Sequence, residues 1–225
     1  MPSPKKIADS VVGKASEAVS KVQDRLHASK KKTAETTVSS SSADNLSPKA
    51  AVMLMYYLIS IDSDITEAEM SQLDEIGPAL DPVYPKIKDV FIAECQKQID
   101  KASESEARYD VIQEGADIVL TQLPRSSSFT IPPKLLLWNM LVIANSDKTY
   151  AAEERRFLKH TAEMMGINNS VFLEMETTIQ SLAAIESEIE WIKTTDRPYA
   201  VIDDMINELE KRKQIIQSNI SELVS

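Results

Sequence analysis

Cysteine, glycine, histidine and the aromatic residues are all scarce in this sequence, and each scarcity excludes something. A single cysteine, Cys95, rules out an intramolecular disulfide framework and a thiolate zinc cage, so a reducing compartment is expected. Cys95 itself reads as a small buried hydrophobe. Four scattered glycines cannot form a phosphate-cradling loop or a dinucleotide-binding turn. With two histidines, His27 and His160, and that lone thiol, the supply of nucleophiles and bases is thin. His160 reads as a solvated helix-face residue, and no enzymatic activity is expected. No apolar run approaches the roughly 18 residues of a membrane span. The N-terminus also lacks the apolar core of a secretory signal, so a cytoplasmic protein is expected.

What is present points to helices. Hydrophobic residues make up 43% of 225, enough for a full core, and the ten prolines fall between apolar-periodic stretches. The expected fold class is all-α, a helical bundle. The net charge of −10 is unevenly spread: residues 1–45 hold eight Lys/Arg against five Asp/Glu, leaving 17 against 30 for the rest. Such a body repels nucleic acid.

Residues 1–46 read as a basic amphipathic arm followed by a linker. In residues 5–27, Ile7, Val11, Val12, Ala15, Val19, Val22 and Leu26 recur at helical spacing among Lys5, Lys6, Lys14, Lys21 and Arg25. This stretch suits partner docking or peripheral contact with the inner face of a membrane, although its apolar residues are small and lack a Trp or Phe anchor. The Lys- and Ser-rich residues 28–46 form the linker. A helical domain is expected over 47–193, with helices from Ser47, from Thr66 to a stop at Gly77-Pro78, and over 83–102, 104–123, 151–165 and 169–193. Between them Leu135–Ala144 is apolar all round and is expected to be the buried centre. Residues 194–225 add a last helix whose stripe Ile202, Met205, Leu209, Ile216 and Leu223, interrupted by Arg212 and Asn219, packs on the bundle or on a partner helix.

The most informative pattern is internal. Asp62, Ile65 and Glu69 recur 85 residues later as Asp147, Tyr150 and Glu154, each time after an apolar helix and at the start of an amphipathic one. In this spacing the Asp closes one helix, Ile65 or Tyr150 plugs the corner, and the Glu lies in the first turn of the next helix, where the helix dipole favours negative charge. Two readings follow. In the first, Thr66 and Glu69 form a capping box and Asp62 is a turn residue. In the second, Asp62, Glu69, Asp147 and Glu154, with Asp64 as an auxiliary, are hard oxygen donors for Ca²⁺, Mg²⁺ or Mn²⁺. Ala151 stands where a capping side chain would, so Glu154 persists without that partner and the second reading stays open. An EF-hand is excluded: no glycine holds the sixth position counted from Asp62, and Leu73 stands at the twelfth.

At these residues the sequence resembles the tellurite-resistance TerB family and the wider TerB-like domains, with their Asp-Gly corner, a hydrophobic residue three positions on and a Glu seven on. The likeness lands on Asp62, Ile65, Glu69, Asp147, Tyr150 and Glu154, continues through Phe157-Leu158 and Ala162 to Ile167, and covers residues 48–182. Ser63 and Lys148 replace the family's glycine. The resemblance implies an all-helical bundle of two related halves and metal-binding acidic residues. It also implies a role in tellurite or other chemical-stress responses alongside protein partners, often in membrane-associated complexes.

Overall fold

A computed structural model describes residues 45–61, 65–102, 105–122, 130–195 and 199–224. The basic arm, most of the linker, and Asp62 and Asp64 lie outside these residues. The described chain forms eight α-helices: α1 Pro48–Ile59, α2 Glu67–Leu80, α3 Tyr84–Ile99, α4 Ser105–Gln122, α5 Pro133–Ala144, α6 Ala152–Met164, α7 Asn169–Lys193 and α8 Tyr199–Leu223. The all-α expectation holds.

The core is built on two apolar rods rather than one. Helix α1 opens with Ser47 as N-cap, its Oγ accepting from Ala50 N at 3.2 Å, and with Pro48 in the first turn, where a missing N–H is harmless. All but Lys49 of its residues are buried, and it touches α2, α3, α4, α5 and α6. Helix α5, the expected centre, is nearly as buried and touches α1, α2, α6 and α7. Both are apolar around their whole circumference because each is enclosed on all sides.

Equivalent starts recur along the chain. Helices α1, α2 and α3 begin at residues 48, 67 and 84, and α5, α6 and α7 at 133, 152 and 169, each 85 later. Leu46 and Ile131, themselves 85 apart, exchange backbone hydrogen bonds of 2.9 and 2.8 Å, and Asn45 Nδ2 donates to Thr130 Oγ1. The segments leading into α1 and α5 are thus paired antiparallel at corresponding residues.

Helix α2 does not stop at Gly77-Pro78 but runs to Leu80. Proline removes one donor, and so near the end of a helix the loss is small beside the burial of Leu80. Asp81 N then closes on Gly77 O at 3.0 Å. Glycine is needed there for space: a Cβ on Gly77 would lie 2.5 Å from the Tyr84 ring.

Helices α7 and α8, 25 residues each, pack along one another as a hairpin. Helix α7 joins the main core as far as its middle, through Phe172, Met175 and Leu182, and so do Ile220 near the end of α8 and Val224 just beyond it. The opposite halves form a satellite core of Ile189, Ile192 and Leu209, flanked by Ile185, Ile202, Met205 and Ile206. The interruption of the α8 stripe that matters is Lys213, not Arg212 or Asn219, which are exposed. Lys213 is buried in the seam and its Nζ lies 2.8 Å from Glu186 Oε1 on α7.

Candidate functional site: two helix corners

Each corner joins an apolar rod to an amphipathic helix, α1 to α2 and α5 to α6. At the first, Thr66 Oγ1 accepts from Glu69 N at 3.2 Å, while Glu69 Oε2 accepts from Thr66 N at 2.9 Å and from Thr66 Oγ1 at 2.7 Å. This is a complete capping box, and Glu69 is only 3% exposed. Ile65 does not plug the corner; it is exposed, and Ile61 is buried at the end of α1 instead. Arg108 Nε, from α4, donates to Ser60 O at 2.9 Å and so satisfies a carbonyl at the C-terminus of α1.

At the second corner, Asp147 Oδ1 accepts from Thr149 N at 2.7 Å, an Asx turn. Lys148 between them has φ +69°, the left-handed conformation that suits glycine. The turn thus places a lysine in a conformation that glycine adopts at no steric cost. Ala151 has no side-chain group with which to cap α6, yet Glu154 Oε2 accepts from Ala151 N at 2.7 Å, and Glu154 is as buried as Glu69. The carboxylate half of the capping box survives alone.

Tyr150 does close its corner. It packs against the main core, and its hydroxyl donates to Glu176 Oε1 at 2.9 Å. Arg155 forks onto the same carboxylate, Nε to Oε1 at 2.7 Å and Nη2 to Oε2 at 2.9 Å. Glu176 is 5% exposed, a buried charge paired by one cation and one hydroxyl. Burial first, and the adjoining carboxylate second, push the Tyr150 phenol above its usual range; the hydrogen bond to Glu176 raises Arg155 further.

With two carboxylates at each corner, an ion's shell is completed either by water or by convergence of the two corners. Glu69, Asp147 and Glu154 each hold a backbone N–H of their own turn or helix start. Among the described residues no three His, Cys, Asp or Glu side chains come together as a group that could hold an ion. Ca²⁺, Mg²⁺ and Mn²⁺ take about six or more oxygens, and what is described at the second corner supplies one Asp and one Glu. These donors do not fit such an ion without a shell made mostly of water.

His160 is not a solvated residue: half-buried, its Nε2 lies 2.7 Å from Asp117 Oδ1, joining α6 to α4. Cys95 is fully buried, as expected, and burial pushes its thiol up to about 12. No helix among the described residues is long and apolar enough to cross a membrane.

No family model, curated protein or solved structure matches the chain.

Sequence reasoning passed over Arg108, Glu176 and the Lys213–Glu186 pair. For the last three residues a signal exists. Glu176 falls among Phe172, Met175 and Ile179, Glu186 between Leu182 and Ile189, and Lys213 between Leu209 and Ile216. A charge inside an apolar helical stripe must be paired when it is buried. Arg108 leaves no such mark, because its partner is a backbone carbonyl far away in sequence.

Proposed function

We propose that this protein is a non-enzymatic, cytoplasmic helical adaptor of the TerB-like kind. In this reading the chain is two related halves, the corner carboxylates serve their own helices, and the terminal segments recruit protein partners. One observation carries the choice of adaptor over ion-binding module: Glu69 and Glu154, the two glutamates of the repeated spacing, each accept the N-cap N–H of the helix they start. The recurrence of three helix starts at an interval of 85 supports the two halves. The α7–α8 hairpin, with its own satellite core, supplies an extended surface beyond the bundle.

Calorimetry and thermal melts of the full chain with Ca²⁺, Mg²⁺ and Mn²⁺ test this reading. No saturable heat and an unchanged melting temperature are expected. Saturable binding that Asp62→Asn or Asp147→Asn abolishes would replace the adaptor with a metal-dependent module. The corner resemblance extends the proposal to tellurite and related chemical stress. Cells depleted of the protein should then grow less well on tellurite, and equal growth would remove that part.

A further inference from the structure

We infer that the outward face of α3 is a docking surface for an acidic amphipathic helix of a partner protein. The inference goes beyond the adaptor reading, which gives recruitment to the terminal segments, and does not depend on it. Helix α3 packs on α1, α2 and α4, yet only Tyr84, Cys95 and Ile99 of its residues are buried, with Phe91 and Ile92 half-buried against the core. On the opposite side Val83, Lys86, Val90, Ala93 and Lys97 follow at intervals of three and four, the spacing of a single helical face. All five are exposed, Val83 by 49% and Val90 by 63%.

The second half of the molecule shows what such positions ordinarily do. Ile87 and Val90 correspond, 85 residues later, to Phe172 and Met175 of α7, which are 1% and 0% exposed. Both positions are apolar in both halves, and both are covered in α7. In α3 Ile87 is half-buried and Val90 stands open. The face is built like one that is covered.

Charge identifies the cover. Of the six helices with a solvent face, α3 alone is net positive, with Lys86, Lys88 and Lys97 against Asp89 and Glu94. Helices α2, α4, α7 and α8 are negative and α6 is neutral. Lys88 lies on the bundle side and is held by Asp74 at 2.6 Å. Glu94, at the edge of the stripe, is neutralised by Lys49 at 2.7 Å. Asp89 stands to one side as the remaining carboxylate of α3. Lys86 and Lys97 make no ion pair among the described residues, and they bracket Val90 and Ala93 about 16 Å apart along the axis. A partner helix with an apolar seam on Val83, Val90 and Ala93 and with Asp or Glu at its margins satisfies both the exposed valines and the two ammonium groups.

The acidic remainder of the chain does not forbid this, because repulsion beyond about 8 Å is screened at physiological ionic strength. A bilayer fits less well: the stripe carries only valine and alanine, with no aromatic anchor, and an anionic surface would meet the negative helices on either side. Contact along the roughly 24 Å of α3 makes a small interface of the transient class.

The test titrates the full-length chain against two fluorescently labelled three-heptad peptides at about 0.15 M salt. Both have leucine at the a and d positions; one has glutamate at e and g, the other lysine. General attraction to a chain of net charge −10 favours the lysine peptide. Binding at α3 predicts the reverse, with the glutamate peptide held more tightly. Lys86→Glu/Lys97→Glu and Val90→Asp, all at exposed positions, should each weaken that binding at least about fivefold with the melting temperature unchanged. Tighter binding of the lysine peptide, or glutamate-peptide binding that neither variant weakens, overturns the inference. So does self-association that Val90→Asp abolishes, which would give the face to a second copy, or capture by phosphatidylserine vesicles in place of the glutamate peptide. The ion titrations decide the adaptor reading separately, so failure of one can be told from failure of the other.

Discussion

Arg155 grips Glu176 with two parallel hydrogen bonds of 2.7 and 2.9 Å, and 85 residues earlier the corresponding positions hold Met70 and Phe91. Tyr150, the third member, corresponds to Ile65. The polar triad of the second corner thus stands where the first has only apolar side chains, with Met70 and Phe91 packed against the main core. A buried ion pair adds little net stability over well-packed apolar residues, but an unpaired buried charge is costly. Arg155→Met, which strands Glu176, should therefore lower stability by about 2 kcal/mol, less than for a fully buried pair because Arg155 is half exposed. The triple change Tyr150→Ile/Arg155→Met/Glu176→Phe should recover most of that loss in urea melts. A triple variant less stable than Arg155→Met would show that the two corners are not interchangeable.

The two N-caps should respond in opposite directions. Thr66→Ala removes a side-chain cap and should cost about 1 kcal/mol. Ala151→Ser supplies the missing half of the box to a Glu154 already in place and should add about 0.5–1 kcal/mol. Thermal melts of the two variants check both signs, and any destabilisation by Ala151→Ser would mean that α6 cannot accept a cap in this geometry.

Lys148 holds a left-handed conformation at φ +69° that disfavours residues with a Cβ by about 1–2 kcal/mol. Its ion pair with Glu190 is largely exposed on both sides and worth at most a fraction of that. Lys148→Gly should stabilise the protein by about 0.5 kcal/mol, once the greater freedom of glycine in the unfolded chain is set against the relief of strain. Lys148→Ala should bring no gain, because alanine retains the strain. Equal melting temperatures for the two variants would refute this account of the turn.

Lys213 and Glu186 form a charged layer between the main and satellite cores of the α7–α8 hairpin. Removing one partner strands the other, so Lys213→Ala should lower stability by about 2–3 kcal/mol. Lys213→Met/Glu186→Leu should match or exceed the wild type. A buried polar layer specifies which rungs of two helices meet. Disulfide trapping between cysteines placed on α7 and α8 should accordingly give one register in the wild type and more than one in the double variant.

Raised pKa values at buried Cys95, Tyr57 and Tyr84 and at half-buried Tyr150, all held neutral chiefly by desolvation, set an alkaline limit. Below the ordinary values of these groups, both folded and unfolded chains keep the protons, and stability is unaffected. Above about pH 9 the unfolded chain loses protons that the native state retains, so stability falls as pH rises. Urea midpoints measured from pH 7 to 11 should decline from about pH 9, more shallowly in Cys95→Ala. A flat profile would contradict burial of these groups.

Much of the fold was legible because helix formation here follows local pattern. Apolar periodicity, Ser47-Pro48, Thr66 and Gly166 mark element edges without reference to the rest of the chain. The corners were legible as spacing but not as chemistry: a carboxylate that caps its own helix and one that binds an ion share the same letter and interval. Ile65 and Tyr150 looked equivalent, and they diverge because a phenol can reach Glu176 on α7 whereas an isoleucine gains nothing from that partner. The run through Gly77-Pro78 depends on Leu80 and Tyr84 finding buried seats, which is tertiary information.

The bonded pair Leu46 and Ile131 also bears on synthesis. Helix α1 is nearly all apolar, and two of its walls, α5 and α6, lie beyond residue 131. A nascent chain must therefore carry one of its two apolar rods out of the ribosome and wait for more than half of its length before that segment can be fully enclosed. Until then α1 is the natural target of a chaperone, and a truncation short of α5 would leave it to aggregate.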